Sequence, residues 1–284
     1  MNEDPTAWKS WIGRALTVED EIGPRRAQAL QATLDIQGRA LQAGDPLPPL
    51  WHWLYFWDLA PASTLGPDGH PERGEFLPPI ELPRRMWAGS RVTFHRPLLL
   101  GVTASRRSTI ADLRFKTGRS GRLAFLTLRH EIGVGGETSI EEEQDIVYLE
   151  ARNPKSPLRP GERAPMDPPW RREVLADPVL LFRYSALTFN NHRIHYDHPY
   201  AVEVEGYPGL VVHGPLLATL MVDLACRERP SAEIAGFRFR AIRPVFGGPS
   251  FTVAGRPATD GRSADIWVAD SGSLLAMRGQ IEFR

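Results

Sequence analysis

The chain has 284 residues, of which 42% are hydrophobic and 24% are charged, and these values are typical of a soluble globular protein. Its 34 lysines and arginines balance 34 aspartates and glutamates, and a formal net charge of zero argues against nucleic acid as the main partner. The single cysteine excludes an intrachain disulfide, the first residues do not fit a secretory signal, and no apolar run is clean enough to span a membrane, so we expect a cytoplasmic protein.

Two features precede the first predicted strands. Pro24 opens a run rich in Ala, Leu, Gln and Arg that continues to Ala43, and Gly44 follows it. A proline at the first helical position and a glycine beyond the last one predict a helix over this run. The aromatic segment 51–61 can either pack in the core or form a wall over a ligand, and its density of large rings favours packing.

Two strand patterns occur once in each half of the chain. Residues 91–101 and residues 237–248 each read as a strand, an Arg-Pro pair, apolar residues and a glycine. A glycine-led apolar run follows in each half, at residues 121–132 and at residues 272–283. Because the two patterns recur in the same order, we expect a duplicated sheet unit.

A proline-rich segment separates the two halves. Residues 153–169 contain six prolines, which exclude a helix or a central strand and predict an extended linker. The length of the chain corresponds to about two domains of average size. The predicted domains are therefore residues 1–152 and residues 170–284.

The second half has a helix start at Gly214 and Pro215. Pro215 suits the first turn of a helix, which makes Gly214 the predicted N-cap. The following residues are apolar on most faces, so we expect a buried helix. A buried helix followed by antiparallel strands predicts an α+β fold in which the sheet wraps the helix.

Histidines cluster just before this helix. His192, His195 and His198 lie within seven residues, and His213 immediately precedes Gly214. A metal site is one interpretation, but the spacing matches no standard ligand pair and no cysteine or glutamate cluster completes it, so we predict no metal. A purely structural loop, with Asp197 capping a short helix, is the second. Acid–base catalysis is the third, because histidine is the ordinary group for moving a proton near neutral pH.

The start of the helix at Gly214 supplies the hydrogen-bond donors that such catalysis also needs. The first N–H groups of a helix have no intrahelical acceptor and lie at the positive end of its dipole, so the N–H groups of Gly214 and Leu216 can stabilise a developing oxyanion. A glycine also allows a substrate carbonyl to approach the backbone. Asn190 and Asn191 lie within reach to orient a histidine. The combination favours a reaction through an enolate, such as proton removal next to a thioester carbonyl.

These motifs resemble a known family. Residues 184–201, followed by GLVVHGPLLATL at 209–220, resemble the signature of the MaoC-like, or type 2, enoyl-CoA hydratases. The first half contains PPLWHWLYF, LGPDGHPERGEFLPP, LPRRMWAGSR and GRSG, which are similar to a narrower group. That group comprises the double-hotdog hydroxyacyl-thioester dehydratases and the mesaconyl-C4-CoA and itaconyl-CoA hydratases. Together the similarities span nearly the whole chain.

The resemblance implies an α+β double hotdog, in which two antiparallel sheets each wrap a central helix within one chain. The N-terminal domain would be a degenerate hotdog and the C-terminal domain the catalytic one. The implied activity is the reversible hydration of an enoyl-CoA thioester to a hydroxyacyl-CoA. Coenzyme A would be present only as part of the substrate, and no other cofactor is expected.

The resemblance also implies roles for single residues. His195 matches the catalytic histidine and Gly214 matches the glycine of the oxyanion hole. Asn190 stands where the family has a catalytic aspartate, and an asparagine cannot act as a general base. Either His195 moves the proton alone or another group assists it. The further candidate site residues are Tyr184, His192, Asp197 and His213.

Arginines are the candidates for anion binding. Arg238 and Arg240 share one face of a predicted strand, and with Arg243 they could bind the phosphates of coenzyme A. A solvated strand face is the alternative. Arg193, beside His195, could pair with a substrate carboxylate, which would favour a small branched dicarboxylic acyl group such as mesaconyl or itaconyl.

Other functions stay open from the sequence. The chain could be a fatty 3-hydroxyacyl-thioester dehydratase with a long acyl tunnel, or a non-catalytic acyl-CoA-binding protein that kept the fold. A hotdog thioesterase is disfavoured by the combination of the HG-P helix start with N-x4-H. A monomer and a homodimer both fit the sequence, because a double hotdog can pair its sheets within one chain.

Overall fold

The molecule is built on one antiparallel sheet of ten strands, seen in a computed structural model that describes residues 8–118, 121–151 and 160–284. The strands are β1 (Ala15–Glu21), β2 (Arg84–Phe94), β3 (Thr103–Gly118), β4 (Gly121–Val134), β5 (Glu137–Leu149), β6 (Trp170–Leu175), β7 (Ile234–Ala241), β8 (Ser250–Pro257), β9 (Ser263–Ala269) and β10 (Leu275–Phe283). The helices are α1 (Pro24–Thr33), α2 (Pro178–Thr188) and α3 (Gly214–Glu228).

The strand order repeats itself about the middle of the sheet. The order is β1-β3-β4-β5-β2-β7-β10-β9-β8-β6. In each half, the first strand along the chain (β1 or β6) lies at the edge of the sheet, and the second strand (β2 or β7) lies at its centre. The N-terminal half, up to residue 151, and the C-terminal half, from residue 160, meet where β2 pairs with β7. This arrangement fits the expected duplicated sheet unit. The two halves therefore share one continuous β-sheet instead of forming two separate sheets.

The predicted strand repeats are partly confirmed. Residues 91–101 and residues 237–248 lie at the ends of β2 and β7, which are equivalent in the two halves. Residues 121–132 lie in β4, whereas most of residues 272–283 lie in β10, which corresponds to β5. The second repeat was therefore wrong, because neighbouring hairpin strands share the same glycine-led apolar pattern.

Helix α3 is the centre of the C-terminal half. Nine of its fifteen residues are buried, as the apolar sequence predicted. Burial of each large apolar side chain contributes roughly 1.5–3 kcal/mol, so the helix is firmly fixed against β6, β8, β9 and β10. The fixed helix holds its N-terminus, and the residues just before it, in one place.

The two other helices differ from expectation. Helix α1 begins at Pro24 as predicted but ends at Thr33 instead of Ala43, because Asp35 takes a left-handed conformation with φ of 54° that stops the helix. Helix α2 was not predicted. Its start is marked by Asp177, whose side chain accepts a hydrogen bond from the Leu180 N–H, and by Pro178 at the first turn.

The aromatic segment packs in the core, as predicted. Trp53 packs edge-on against Trp87, with ring centroids 4.9 Å apart, and its indole N–H donates to the buried carboxylate of Glu142. Burial alone would raise the pKa of Glu142, but hydrogen bonds with His52 and Trp53 lower it to about 2. Trp57 instead stacks on Phe189, 5.0 Å away, at the end of α2.

The predicted linker lies only partly within the described residues, because 152–159 fall outside them. Its described part runs beside β10, where the Ala164 N–H donates to the Ser273 carbonyl. The division of the chain into two domains stays a prediction. Within the described ranges, no helix is long and apolar enough to cross a membrane.

Candidate active site

The N-terminus of α3 offers an open backbone donor. His213 is the N-cap and Gly214 is the first helical residue, so the helix begins one position earlier than predicted. Among the described residues, no backbone carbonyl accepts a hydrogen bond from the Gly214 N–H. A Cβ atom built on Gly214 would meet nothing within 4 Å, so the space beside this N–H is open to a ligand. The site thus has the donor that an oxyanion requires.

His195 presents one ring nitrogen to the same region. It lies in the short 3-10 turn Arg193–His195, where its Nδ1–H donates to the Val211 carbonyl at 2.7 Å. This bond leaves the lone pair on Nε2, which no described residue contacts by a hydrogen bond. Burial lowers the pKa of His195 to about 4, although the Val211 hydrogen bond opposes the shift. The imidazole is therefore neutral near neutral pH and can accept a proton at Nε2.

His213 supports the His195 ring from behind. The two rings are stacked with centroids 3.8 Å apart, and His213 is completely buried. Its Nε2 is hydrogen-bonded to the Ser185 hydroxyl at 2.8 Å, and burial keeps its pKa well below the ordinary value. Tyr184 packs edge-on against His213 at 5.1 Å, and burial raises the pKa of its own hydroxyl. Both residues were predicted near the site, and both pack behind His195.

Asn190 lies at the end of α2. The helix stops at Phe189, which has a left-handed φ of 50°, and the Asn190 N–H then donates to the Ser185 carbonyl. The Asn190 Oδ1 accepts from the His192 N–H at 3.0 Å. Its Nδ2 has no hydrogen-bond partner in the described part of the chain, so this side chain can donate to a water or a substrate oxygen.

The N-terminal half contributes two residues near the site, Asp68 and His70, that were not predicted. His192 lies 5.5 Å from the His195 ring and 4.3 Å from the ring of His70, measured between centroids. The Nδ1 of His70 is 3.0 Å from the Asp68 carboxylate. The segment LGPDGHPER carries both residues and contributed to the family resemblance, yet it gave no sign that it reaches the histidine loop.

Asp68, His70 and His192 could together be considered as a metal site. Potential ligand atoms of Asp68, His70 and His192 all lie within 4.8 Å of one another. However, the Asp68 carboxylate already pairs with His70, and the positive charges of Arg85 and Arg73 lower the pKa of His70 in addition to the effect of burial. A cation would meet the same repulsion, so the geometry favours the interpretation without a metal. The absence of a metal stays a prediction.

The loop that carries Asp68 and His70 is docked on the histidine segment. The Arg193 N–H donates to the Asp68 carbonyl at 2.9 Å. Gly69 makes the closest approach, because a Cβ there would lie 2.1 Å from the Asn191 carbonyl oxygen. Its φ of 89° also favours glycine. Gly69 therefore allows the two halves to meet at this point.

We expect Gly69→Ala to separate this loop from the histidine segment. The backbone strain alone costs about 1–3 kcal/mol of the free energy of unfolding, and the clash with Asn191 adds to it. Gly44→Ala is the matched control, because Gly44 has the same φ of 89° and an open Cβ position. Urea unfolding of both variants measures the difference. An equal loss in both would show that the close contact at Gly69 contributes nothing.

Arg193 and Asp197 pair with each other within the histidine segment. Two nitrogens of the Arg193 guanidinium donate to the Asp197 carboxylate at 2.9 and 2.7 Å, and the third donates to the Pro67 carbonyl. The Arg193 hydrogen bond lowers the pKa of Asp197, so this carboxylate is ionised and cannot donate a proton. Three of the five N–H donors of Arg193 are therefore used within the protein, and Asp197 also accepts from the Tyr200 N–H. A substrate role for either residue stays a prediction.

The three arginines predicted to bind phosphate lie away from the histidine cluster. Two of them, Arg238 and Arg240, line a cavity of about 800 Å³, so their predicted role stays a prediction. Arg238 and Arg240 share a face of β7, as expected, but they are exposed on the outside of the sheet, whereas Phe237 and Phe239 face the core. Arg243 is paired with Asp270 at 3.2 Å. None of the three contacts the histidine cluster, and the strand pattern alone could not tell which face of β7 would be buried.

Comparisons with known proteins identify the family and agree with the fold. The model of the family described as hydroxyacyl-thioester dehydratase type 2 matches residues 50–247. The chain is 52% identical over 269 residues to a mesaconyl-C(4)-CoA hydratase of Chloroflexus aurantiacus, covering 95% of this chain and 96% of that protein.

Solved structures at low identity confirm the fold. A MaoC-like dehydratase from Phytophthora capsici superposes with a TM-score of 0.67 at 13% identity, covering 96% of this chain and 95% of that one. A Mycobacterium tuberculosis protein described as a double hotdog fold superposes with a TM-score of 0.59 at 15% identity, covering 96% of each chain. The predicted α+β double hotdog is thus confirmed. The chain belongs to the hydroxyacyl-thioester dehydratase type 2 family of MaoC-like hydro-lyases.

Proposed function

We propose that this protein catalyses the reversible hydration of a mesaconyl-C4-CoA-type enoyl thioester to the corresponding hydroxyacyl-CoA. The observation that carries the proposal is the open Nε2 of a neutral His195 beside the free N–H of Gly214. The identity of 52% to a mesaconyl-C(4)-CoA hydratase supports this choice of acyl group. Coenzyme A enters only as part of the substrate, and the reaction needs no further cofactor.

The proposed reaction begins with the thioester carbonyl bound to the Gly214 N–H. A water bound at the His195 Nε2 transfers a proton to that nitrogen, and its oxygen forms a bond to the β-carbon. The π electrons of the double bond move toward the carbonyl, and the Gly214 N–H stabilises the enolate that results. The imidazolium then returns the proton to the α-carbon, so His195 ends the cycle neutral and one water has been added.

Asn190 orients this water in place of a second base. Its Oδ1 is held by the His192 N–H, so the Nδ2 is the group that remains to hold a water or the substrate oxygen. Of the residues predicted to assist His195 in proton transfer, His192 is the one that remains, because Tyr184 is buried behind His213 and Asp197 is paired with Arg193. An Asn190→Asp variant that hydrates this substrate faster would show that the asparagine is not tuned to it.

The pH dependence of the proposed reaction follows from the depressed pKa of His195. The proton acceptor is the neutral form, and its pKa of about 4 means that protonation begins only in acid. We therefore expect kcat/KM to stay level around neutral pH and to fall as the pH drops through the folded-state pKa. Initial rates across this range, with circular dichroism as a control for unfolding, measure it. A midpoint at the ordinary histidine value of about 6.5 would contradict the burial of this ring.

A second candidate is the hydration or dehydration of a fatty acyl thioester. The family description names hydroxyacyl-thioester dehydratases, which supports this alternative. A series of enoyl-CoA substrates of increasing chain length, compared with mesaconyl-C4-CoA, separates the two. We expect kcat/KM to be highest for the short dicarboxylic substrate, and a steady rise with chain length would favour the alternative.

The same assay tests two other functions that the sequence left open. Binding of CoA thioesters without turnover would indicate an acyl-CoA-binding protein, and release of free thiol would indicate a thioesterase. We further propose a cytoplasmic location, which the single cysteine supports.

A further inference from the structure

A second cavity adjoins the histidine cluster on the side of the N-terminal half. It has a volume of about 530 Å³, and its lining includes Asp68 and His70. The ring of His70 is also in contact with His192, so the cavity and the proposed catalytic groups share a wall. An acyl group bound at His195 therefore lies close to whatever this cavity holds.

Three arginines line the cavity, and two of them already have hydrogen-bond or ion-pair partners in the protein. Arg73 donates to the main-chain carbonyls of Ile80, Leu82 and Pro83. Arg84 donates to the Tyr207 hydroxyl at 2.6 Å and pairs with Glu205 at 3.6 Å. Arg85 differs, because it makes no side-chain hydrogen bond and no ion pair with any described residue. Its guanidinium, with five N–H donors, remains available.

The position of Arg85 is fixed by the sheet. It lies near the start of β2, where it pairs with Tyr148 of β5, and its side chain is half-buried. Its charge is close enough to the site to lower the pKa of both His70 and His192, beyond the larger effect of burial. A charge removed from water is ordinarily paired, because desolvation without a partner is costly. Arg85 has no such anionic partner among the described residues.

Two of the three acidic residues that line the cavity are paired with other groups, and the third, Glu72, is exposed and forms no ion pair with Arg85. Asp68 is bound to His70, and Glu205 is bound to Arg84. A ligand that carries a carboxylate would complete the pairing, and the planar guanidinium fork fits two carboxylate oxygens at once.

We propose that Arg85 binds the free carboxylate of the acyl group and so selects dicarboxylic enoyl thioesters. This inference rests on the proposed function and names the residue that determines its substrate. Arg85 takes the role that the sequence assigned to Arg193, which is already paired with Asp197 and with the Pro67 carbonyl, whereas Arg85 has no such partner.

The test compares two substrates in an Arg85→Gln variant. Mesaconyl-C4-CoA carries the free carboxylate, whereas crotonyl-CoA has the same thioester and double bond without it. We expect kcat/KM for mesaconyl-C4-CoA to fall about 100-fold, mainly through KM, because the buried charge pair is lost. We expect the value for crotonyl-CoA to change little. Arg85→Lys, which keeps the charge but not the fork, should recover part of the loss.

Arg114→Gln is the matched control, because Arg114 is exposed on β3 and lines neither cavity. It should leave both substrates unaffected. Equal losses for both substrates in Arg85→Gln, or no loss for mesaconyl-C4-CoA, would overturn the inference and leave the hydratase function standing.

Failure of the proposed function gives a different pattern. If the wild-type protein hydrates neither substrate, calorimetric binding of mesaconyl-C4-CoA to the wild type and to Arg85→Gln decides the inference. Weaker binding in the variant, at an unchanged melting temperature, would support the contact, and equal binding would overturn it.

Discussion

His195→Ala is expected to lower kcat for enoyl-CoA hydration by about 10²- to 10⁴-fold, with a much smaller change in KM. The reason is that the His195 Nε2 is the proposed proton acceptor, and the nearby His213 is buried behind it. Steady-state rates, followed through loss of the enoyl-thioester absorbance, measure the effect.

His198→Ala is the matched control for this experiment. His198 lies three residues further along the same segment and is exposed, so its removal should leave kcat unchanged. Because His195→Ala also removes the hydrogen bond to Val211 and the stacking on His213, its melting temperature must be compared with that of the wild type. A folded His195→Ala protein with wild-type kcat would remove His195 from the mechanism.

Gly214→Ala is expected to lower kcat about 100-fold while leaving the fold intact. The added methyl group meets no protein atom within 4 Å, so it occupies the space that the thioester carbonyl needs in order to reach the N–H. The φ of Gly214 is not in the left-handed region, so alanine adopts this backbone without strain. Rates and melting temperatures of the purified variant separate the two effects.

Gly209→Ala controls for the loss of a glycine near the site. Its Cβ position is equally open and its backbone is equally tolerant, but it lies outside the helix start. It should keep both rate and stability. A Gly214→Ala protein as active as the wild type would show that no carbonyl approaches this backbone.

The sequence predicted the site best where the chemistry is local. His195, His213 and Gly214 lie within twenty residues, and a buried helix follows them directly, so motif and helix punctuation together indicated a catalytic helix start. The double hotdog followed from the same residues through resemblance. Asn190 was also placed correctly beside the histidines, although the helix that ends just before it was missed.

What the sequence could not predict depends on contacts between distant segments. Asp68 and His70 reach His192 across more than a hundred residues, through a loop that only Gly69 allows to dock. Arg85 lines the cavity beside the site, where it is placed by the pairing of β2 with β5. The buried face of β7 depends on which side α3 covers, so the exposure of Arg238 could not be read from alternation alone.

The asymmetry between the halves explains how one chain holds one proposed site. The C-terminal half carries the histidine segment and the open helix start. The N-terminal half contributes the Asp68–His70 loop and Arg85, which close the site from the other side. In our proposal, the C-terminal copy of the sheet unit carries out proton transfer and the N-terminal copy selects the substrate.

The central claim is that a neutral His195 adds water to a dicarboxylic enoyl-CoA. Mass spectrometry of mesaconyl-C4-CoA incubated with the purified protein, alongside His195→Ala, tests it most directly. We predict a product that has gained one water and keeps its thioester, formed by the wild type and at least about 100-fold more slowly by the variant. Unchanged substrate with the wild type, or release of free coenzyme A, would contradict the claim.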